Sequence, residues 1–373
     1  MALHPSALPD FPWDSLTPFR ERAAQHPGGV VDLSVGTPVD PTPAVVRDAL
    51  IAAADAPGYP QTYGTPPLRE TVAAWFARRR GVPDVDPAGV LPTIGSKEMV
   101  ALLPALLGLG EGDTVVHPTA AYPTYDVGAR LSGATPFPAD AVEQWQDDPT
   151  VRLVWINSPS NPTGEVLSRE ELRRVVVAAR RLGAVVASDE CYAELPWDEP
   201  WITDGVPSIL DPEVAEGSHE GLLSVYSLSK QSNLAGYRAA FVAGDPGLVK
   251  RLLEVRKHAG FLMPAPVQAA MAAALADDAH VEAQREVYRA RRDALKPALE
   301  QAGFRVEGSQ AGLYLWSTRD EDCWDTLASL ADLGLIVAPG AFYGEAARQH
   351  VRVALTATDE RISEAVRRLA KLK

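Results

Sequence analysis

The chain has 373 residues, 46% hydrophobic and 23% charged, ordinary globular values that exclude a disordered, collagen-like or coiled-coil chain. Lys and Arg number 35 against 49 Asp and Glu, a net charge of −14 that argues against nucleic acid and anionic membranes as partners. Two cysteines, Cys191 and Cys323, make no disulfide framework and fit a reducing compartment; with neither a signal-peptide pattern nor a run of ~18 apolar residues, the expected location is the cytoplasm.

Residues 1–30 carry five prolines and little periodicity, and read as an extended arm lying on another surface. Residues 30–35 form a short strand ending at Gly36-Thr37-Pro38. The spacing then predicts helices over 43–55, 66–80 and 96–107, the last behind the turn Thr93-Ile94-Gly95. Short apolar strands follow at 114–117, 151–156, 184–187, 222–226 and 239–243. A helix over 168–182 carries a capping box, Ser168 with Glu171. Continuous apolar strands separated by helices argue for an α/β fold with a mostly parallel sheet covered on both faces. After Gly244 the pattern changes to helices at 246–258, 264–276 and 280–301. A smaller α/β unit closes the chain, with strands at 312–317, 335–338 and 351–355 and helices at 322–333 and 359–372. The expected division is an N-terminal arm and start of the small domain over 1–45, a large domain over 46–260 and a small C-terminal domain over 261–373.

Ligands of open parallel sheets bind beyond the carboxyl ends of the strands. Polar clusters stand at successive ends: Asn161-Pro162-Thr163-Gly164, Asp189-Glu190-Cys191-Tyr192, and Ser227-Leu228-Ser229-Lys230 with Arg238 eight residues on. A lysine at a strand end, flanked by hydroxyls, can form a Schiff base. Pyridoxal phosphate needs such a lysine, a carboxylate for its ring nitrogen and a cup for its phosphate. Lys230 and Asp189 supply the first two. Asn161 and Tyr192 can bond the ring's phenolic oxygen. Ser227 and Arg238 can hold phosphate, as can Gly95-Ser96-Lys97, where a glycine turn opens a helix. The seven histidines show no metal-ligand spacing, and Cys191 has no base partner that would mark it as a nucleophile.

These motifs in this order, with Gly36-Thr37-Pro38 before them and Val351-Arg352-Val353-Ala354-Leu355 after, resemble the fold-type I, class I/II pyridoxal-phosphate aminotransferases from about residue 28 to residue 370. The resemblance implies that Lys230 carries the cofactor, Asp189 pairs with its ring nitrogen, and Asn161 and Tyr192 contact its phenolate. It also implies that Ser96, Lys97, Ser227 and Arg238 hold the phosphate and that Tyr122 stacks on the ring. Tyr59 matches the tyrosine that reaches the partner subunit's phosphate, which implies a homodimer with shared sites. Arg352 would clamp the substrate carboxylate, helped by Gly36 and Asn161. No metal is implied.

A narrower resemblance, to actinobacterial-type N-succinyldiaminopimelate aminotransferases, rests on three segments. They are Phe11-Pro12-Trp13-Asp14-Ser15-Leu16, the run from Asp32 through Gly36 to Pro41, and that from Leu91 to Glu98. It implies exchange of an amino group between N-succinyl-LL-2,6-diaminopimelate and 2-oxoglutarate in lysine and diaminopimelate biosynthesis. The alternatives are an aminotransferase for aspartate, alanine, aromatic donors or N-acetylornithine, a carbon–sulfur β-lyase of the same fold, and a non-catalytic effector-binding module.

Overall fold

The computed structural model describes residues 8–9 and 12–372. Phe11 of the N-terminal motif lies outside them. Seven strands form the main sheet, in the order Val90–Ile94, Ala239–Gly244, Leu222–Ser227, Val185–Asp189, Val151–Asn157, Thr114–His117, Thr135–Pro138. Only the Ala239–Gly244 strand runs antiparallel to its neighbours; the other pairings are parallel. Asn157 is in register with Asp189, and Asp189 with Val225. Adjacent parallel strands therefore deliver Asn157, Asp189 and Ser227 to one edge of the sheet. The central strands are buried along nearly their whole length, because helices cover both faces.

Local chemistry sets several boundaries. Ser168 accepts from the Glu171 N–H while Glu171 reaches back to the Ser168 N–H, so helix Arg169–Leu182 starts on a capping box worth about 1 kcal/mol. Gly183, left-handed at φ 66°, ends it.

The C-terminal unit holds a four-stranded antiparallel sheet in the order Ala338–Pro339, His350–Ala354, Tyr314–Thr318, Arg305–Glu307. Val31–Asp32 pairs in parallel with Leu335–Ile336, which ties the N-terminal segment to this unit. Leu16, Val31 and Leu33 share its apolar core with Leu315, Leu327 and Val353. Helix Ala265–Ala276 instead packs Ala270, Met271 and Ala274 into the core of the main sheet, with Leu68 and Phe241.

Part of the expected extended arm is helical, over Thr17–Ala24. Its weak periodicity hid it: tertiary contact, with Phe19 stacked on Trp324 and Ala23 buried, supplies the stabilisation. Strands Val90–Ile94 and Thr135–Pro138 escaped detection because both contain proline. Both lie at sheet edges, where a missing N–H is tolerated.

Candidate active site

A pocket of about 310 Å³ opens beyond the carboxyl edge of the main sheet, where the N-terminal segment and the C-terminal unit close over it. Lys230 stands on the single turn Leu228–Gln231, directly after strand Leu222–Ser227. Ser227 caps that turn: its Oγ accepts from the Ser229 N–H at 3.2 Å and donates to the Ser229 Oγ at 2.8 Å. The cap fixes the direction in which the lysine leaves the sheet. Its Nζ donates to the carbonyl oxygen of Gly36.

Asp189 ends its strand with its carboxylate buried at the pocket wall. The Tyr125 hydroxyl donates to it at 3.1 Å and the Cys191 N–H at 3.2 Å. Both donors are neutral, and burial raises the carboxyl pKa above the usual range. Asn157 joins two loops: its Nδ2 donates to the Asp189 carbonyl at 3.0 Å, and its Oδ1 accepts from the Asn161 N–H at 2.7 Å.

Across the pocket, helix Ser96–Leu106 begins at Gly95, whose φ of 76° favours glycine. A Cβ at Gly95 would lie 2.0 Å from Nη2 of Arg238, itself held at φ 56°. The helix N-terminus, Arg238 and the hydroxyls of Ser96, Ser227 and Ser229 thus surround one space suited to an anion. Lys97 and Tyr122 share the wall, with Lys97 Nζ 6.0 Å from the Tyr122 ring centroid. Burial raises the Tyr122 pKa.

Arg352 comes from the C-terminal unit, on strand His350–Ala354. Its Nη1 donates to Asn161 Oδ1 and its Nη2 to the Ser34 carbonyl, both at 2.7 Å. Its Nε is buried without a partner among the described residues. The guanidinium carbon lies 3.8 Å from the centroid of the Tyr314 ring, and the Tyr314 and Tyr192 hydroxyls are 3.2 Å apart.

Every site residue expected from the sequence lines this pocket except Tyr59, which is 97% exposed on a loop outside it. Tyr314, Asn157 and Trp13 also line it; Trp13 was named only within the N-terminal motif, and none of the three was expected in the site. Asn157 was findable as the last residue of a central parallel strand. Tyr314 was not, because a tyrosine in an apolar strand gives no sign of which face it occupies. Cys191 also lines the wall; burial raises its thiol pKa well above the ordinary value, the state of an unreactive cysteine.

The pocket fits pyridoxal phosphate on three observations. A buried carboxylate held only by neutral donors suits a protonated ring nitrogen. A glycine-opened helix beside an arginine leaves room that a Cβ would fill, suited to a phosphate. A lysine amine projects between the two.

The family model described as "Aminotransferase class I and II" matches residues 28–369. The chain is 60% identical to the 4-dedimethylamino-4-oxo-anhydrotetracycline transaminase OxyQ of Streptomyces rimosus, over 97% of this chain and 99% of that one. It is 58% identical to the probable aminotransferase Rv1178 of Mycobacterium tuberculosis, over 98% and 86% of the two chains. Among solved structures, the N-succinyldiaminopimelate aminotransferase of Mycobacterium tuberculosis superposes with a TM-score of 0.85 at 29% identity, over 97% of each chain. No helix among the described residues is long and apolar enough to cross a membrane.

Proposed function

The chain belongs to the class I and II aminotransferases, enzymes that depend on pyridoxal phosphate, and from that premise we propose how its residues divide the work and which substrate it takes. The carrying observation is the convergence of Lys230, Asp189 and Arg352, from three parts of the chain, on one pocket.

Lys230 would hold the cofactor, Asp189 would keep a proton on its ring nitrogen, and Asn161 and Tyr192 would donate to or balance its ring oxygen. Ser96, Lys97, Ser227 and Arg238 would hold its phosphate, and Tyr122 would cover its ring. When bound, pyridoxal phosphate supplies an aldehyde that takes an amine and a ring that draws electrons from the carbon bearing that amine. Arg352 grips the substrate α-carboxylate, with the Gly36 backbone and Asn161 beside it. Lys230 Nζ would take the proton from the substrate Cα as general base, hold it on the amine, and return it as general acid to the carbon that the amine leaves or enters. The aromatic wall of Tyr122, Tyr192 and Tyr314 shields that proton from water.

The proposed reaction exchanges an amino group between N-succinyl-LL-2,6-diaminopimelate and 2-oxoglutarate, giving N-succinyl-2-amino-6-oxopimelate and L-glutamate, in the cytoplasm. The likeness to the Mycobacterium tuberculosis N-succinyldiaminopimelate aminotransferase supports it. A second reading takes a bulky ring ketone, as the name of the Streptomyces rimosus relative describes for that protein. The observation favouring it is a second cavity of about 350 Å³, largely apolar, beside the first; Trp13, Tyr122, Phe342 and Val127 line it, and Lys97 and Arg352 border both. A homodimer with shared sites completes the proposal. Tyr59, 97% exposed, and the exposed Val39 and Ile51 support a surface that a second copy covers.

A panel of amine donors and keto acceptors tests the substrate. The succinylated diamino acid should exceed aspartate, alanine, aromatic donors and N-acetylornithine; preference for a ring ketone as acceptor would instead establish the second reading. Lys230→Ala should abolish both turnover and the covalent fixation of the cofactor to the chain by borohydride. Retention of either would overturn the assignment of Lys230.

A further inference from the structure

Tyr314 meets both halves of the pocket. In the antiparallel pairing of Tyr314–Thr318 with His350–Ala354, Trp316 stands opposite Arg352 and Tyr314 opposite Ala354. Tyr314 is therefore the diagonal neighbour of Arg352 on the same sheet face, within reach of a long side chain. The guanidinium carbon lies 3.8 Å from the Tyr314 ring centroid, a cation held over an aromatic face. The hydroxyl of the same residue reaches the Tyr192 hydroxyl at 3.2 Å. It also rests against Gly36, where a Cβ would lie 2.0 Å from it. The Gly36 carbonyl in turn accepts from Lys230 Nζ. One buried phenol thus touches the carboxylate clamp, the tyrosine assigned to the cofactor's ring oxygen, and the segment that holds the lysine.

We propose that Tyr314 is a positioning residue for amino transfer: its hydroxyl orients the Tyr192 hydroxyl toward the cofactor's ring oxygen, while its ring seats Arg352 for the substrate carboxylate. The proposal rests on the reading of the site given above. At 3.2 Å either hydroxyl can donate to the other. With Tyr314 as the donor, the arrangement proposed, the Tyr192 proton is left free to point into the pocket, and the Arg352 guanidinium against the Tyr314 ring favours that polarity.

The two functions separate by substitution in the holoenzyme. Tyr314→Phe keeps the ring under Arg352 and removes the hydroxyl. It should raise the apparent pKa of the bound chromophore, read by visible absorbance against pH, and lower kcat about tenfold, with KM for the keto acid changed less than about threefold. Tyr314→Leu removes the ring too, and should raise that KM about tenfold further. Tyr192→Phe should shift the chromophore in the same direction, and adding Tyr314→Phe to it should shift it no further, because the hydroxyl acts through Tyr192. If Tyr314→Leu does not fold, the Tyr192 and Tyr314→Phe cycle still decides the matter. An unshifted chromophore in Tyr314→Phe, or additive shifts in the cycle, overturns the proposal. Failure of the underlying reading would look different: wild-type protein with no visible chromophore, or borohydride fixation of the cofactor that survives Lys230→Ala.

Discussion

The Nζ of Lys230 donates to the carbonyl oxygen of Gly36, 194 residues earlier in the chain. The contact joins the turn after a central strand of the main sheet to the N-terminal segment that pairs with the C-terminal unit. A backbone acceptor can hold the amine in place only while the Gly36 segment lies against the pocket. Gly36→Ala would put a Cβ 2.0 Å from the Tyr314 hydroxyl. The segment or the tyrosine must move, and kcat/KM should fall about tenfold or more with the fold intact by circular dichroism.

Asp189 gives a pH prediction. Burial raises its pKa in the folded apoprotein above that in the unfolded chain. The stability this carboxyl contributes is full below the unfolded-state pKa and is lost as pH rises through the raised value. Asp189→Asn removes that loss, so the variant apoprotein should melt a few degrees above wild type at neutral pH. The two melting temperatures should converge as the pH falls toward the ordinary carboxylate range. With cofactor present the order should reverse, since the amide cannot balance a protonated ring nitrogen, and turnover should drop by about 100-fold or more. Apoprotein melts that do not differ at neutral pH would contradict the prediction.

Arg352→Lys tests the clamp. Two of its nitrogens are spent on Asn161 and Ser34, each at 2.7 Å, which orients the fork. A lysine ammonium cannot reproduce that planar geometry. Charge-assisted hydrogen bonds are worth about 1.5–3 kcal/mol, so kcat/KM for the keto acid should fall about 10–150-fold. The visible absorbance of bound cofactor should be retained. A variant with unchanged kcat/KM would remove Arg352 from substrate binding.

Ser232, His280 and Asp277 are hydrogen-bonded in the order of a hydrolytic triad, with Ser232 Oγ 2.8 Å from His280 Nε2 and His280 Nδ1 2.9 Å from Asp277 Oδ2. The serine is fully buried, and its Oγ also accepts from Gln231 Nε2 at 3.1 Å. No substrate can reach it, so the chain is a strut between the Lys230 turn and helix Ala279–Gln301. Serine-directed phosphonate probes should leave Ser232 unlabelled. His280→Ala should cost about 1–3 kcal/mol in denaturant unfolding, the range for a buried partner left unsatisfied. Labelling of Ser232 would refute this view.

Tyr59 decides whether sites are shared. Lys230→Ala and Tyr59→Ala proteins, each impaired alone, should regain activity when mixed subunits re-form. A hybrid dimer then places both changes in one site and leaves the other whole. Hybrids without regained activity would count against sharing.

The sequence alone carried the chemistry whose residues are close together in it. Ser227, Ser229 and Lys230 share one turn, Asp189 ends an apolar strand, and Gly95 opens a helix, because strand ends and helix starts are written in local patterning. The parallel sheet and the smaller C-terminal unit were legible for the same reason. Helix Thr17–Ala24 and the proline-bearing edge strands were not, since packing rather than local preference stabilises them. Which tyrosine of an apolar strand faces a pocket is also not a local property. Tyr314 meets Arg352, Tyr192 and Gly36 only after two strands have taken their register and the N-terminal segment has joined the C-terminal unit. Such contacts exist between segments that the chain keeps tens to hundreds of residues apart, and only the folded arrangement of sheets brings them to bonding distance.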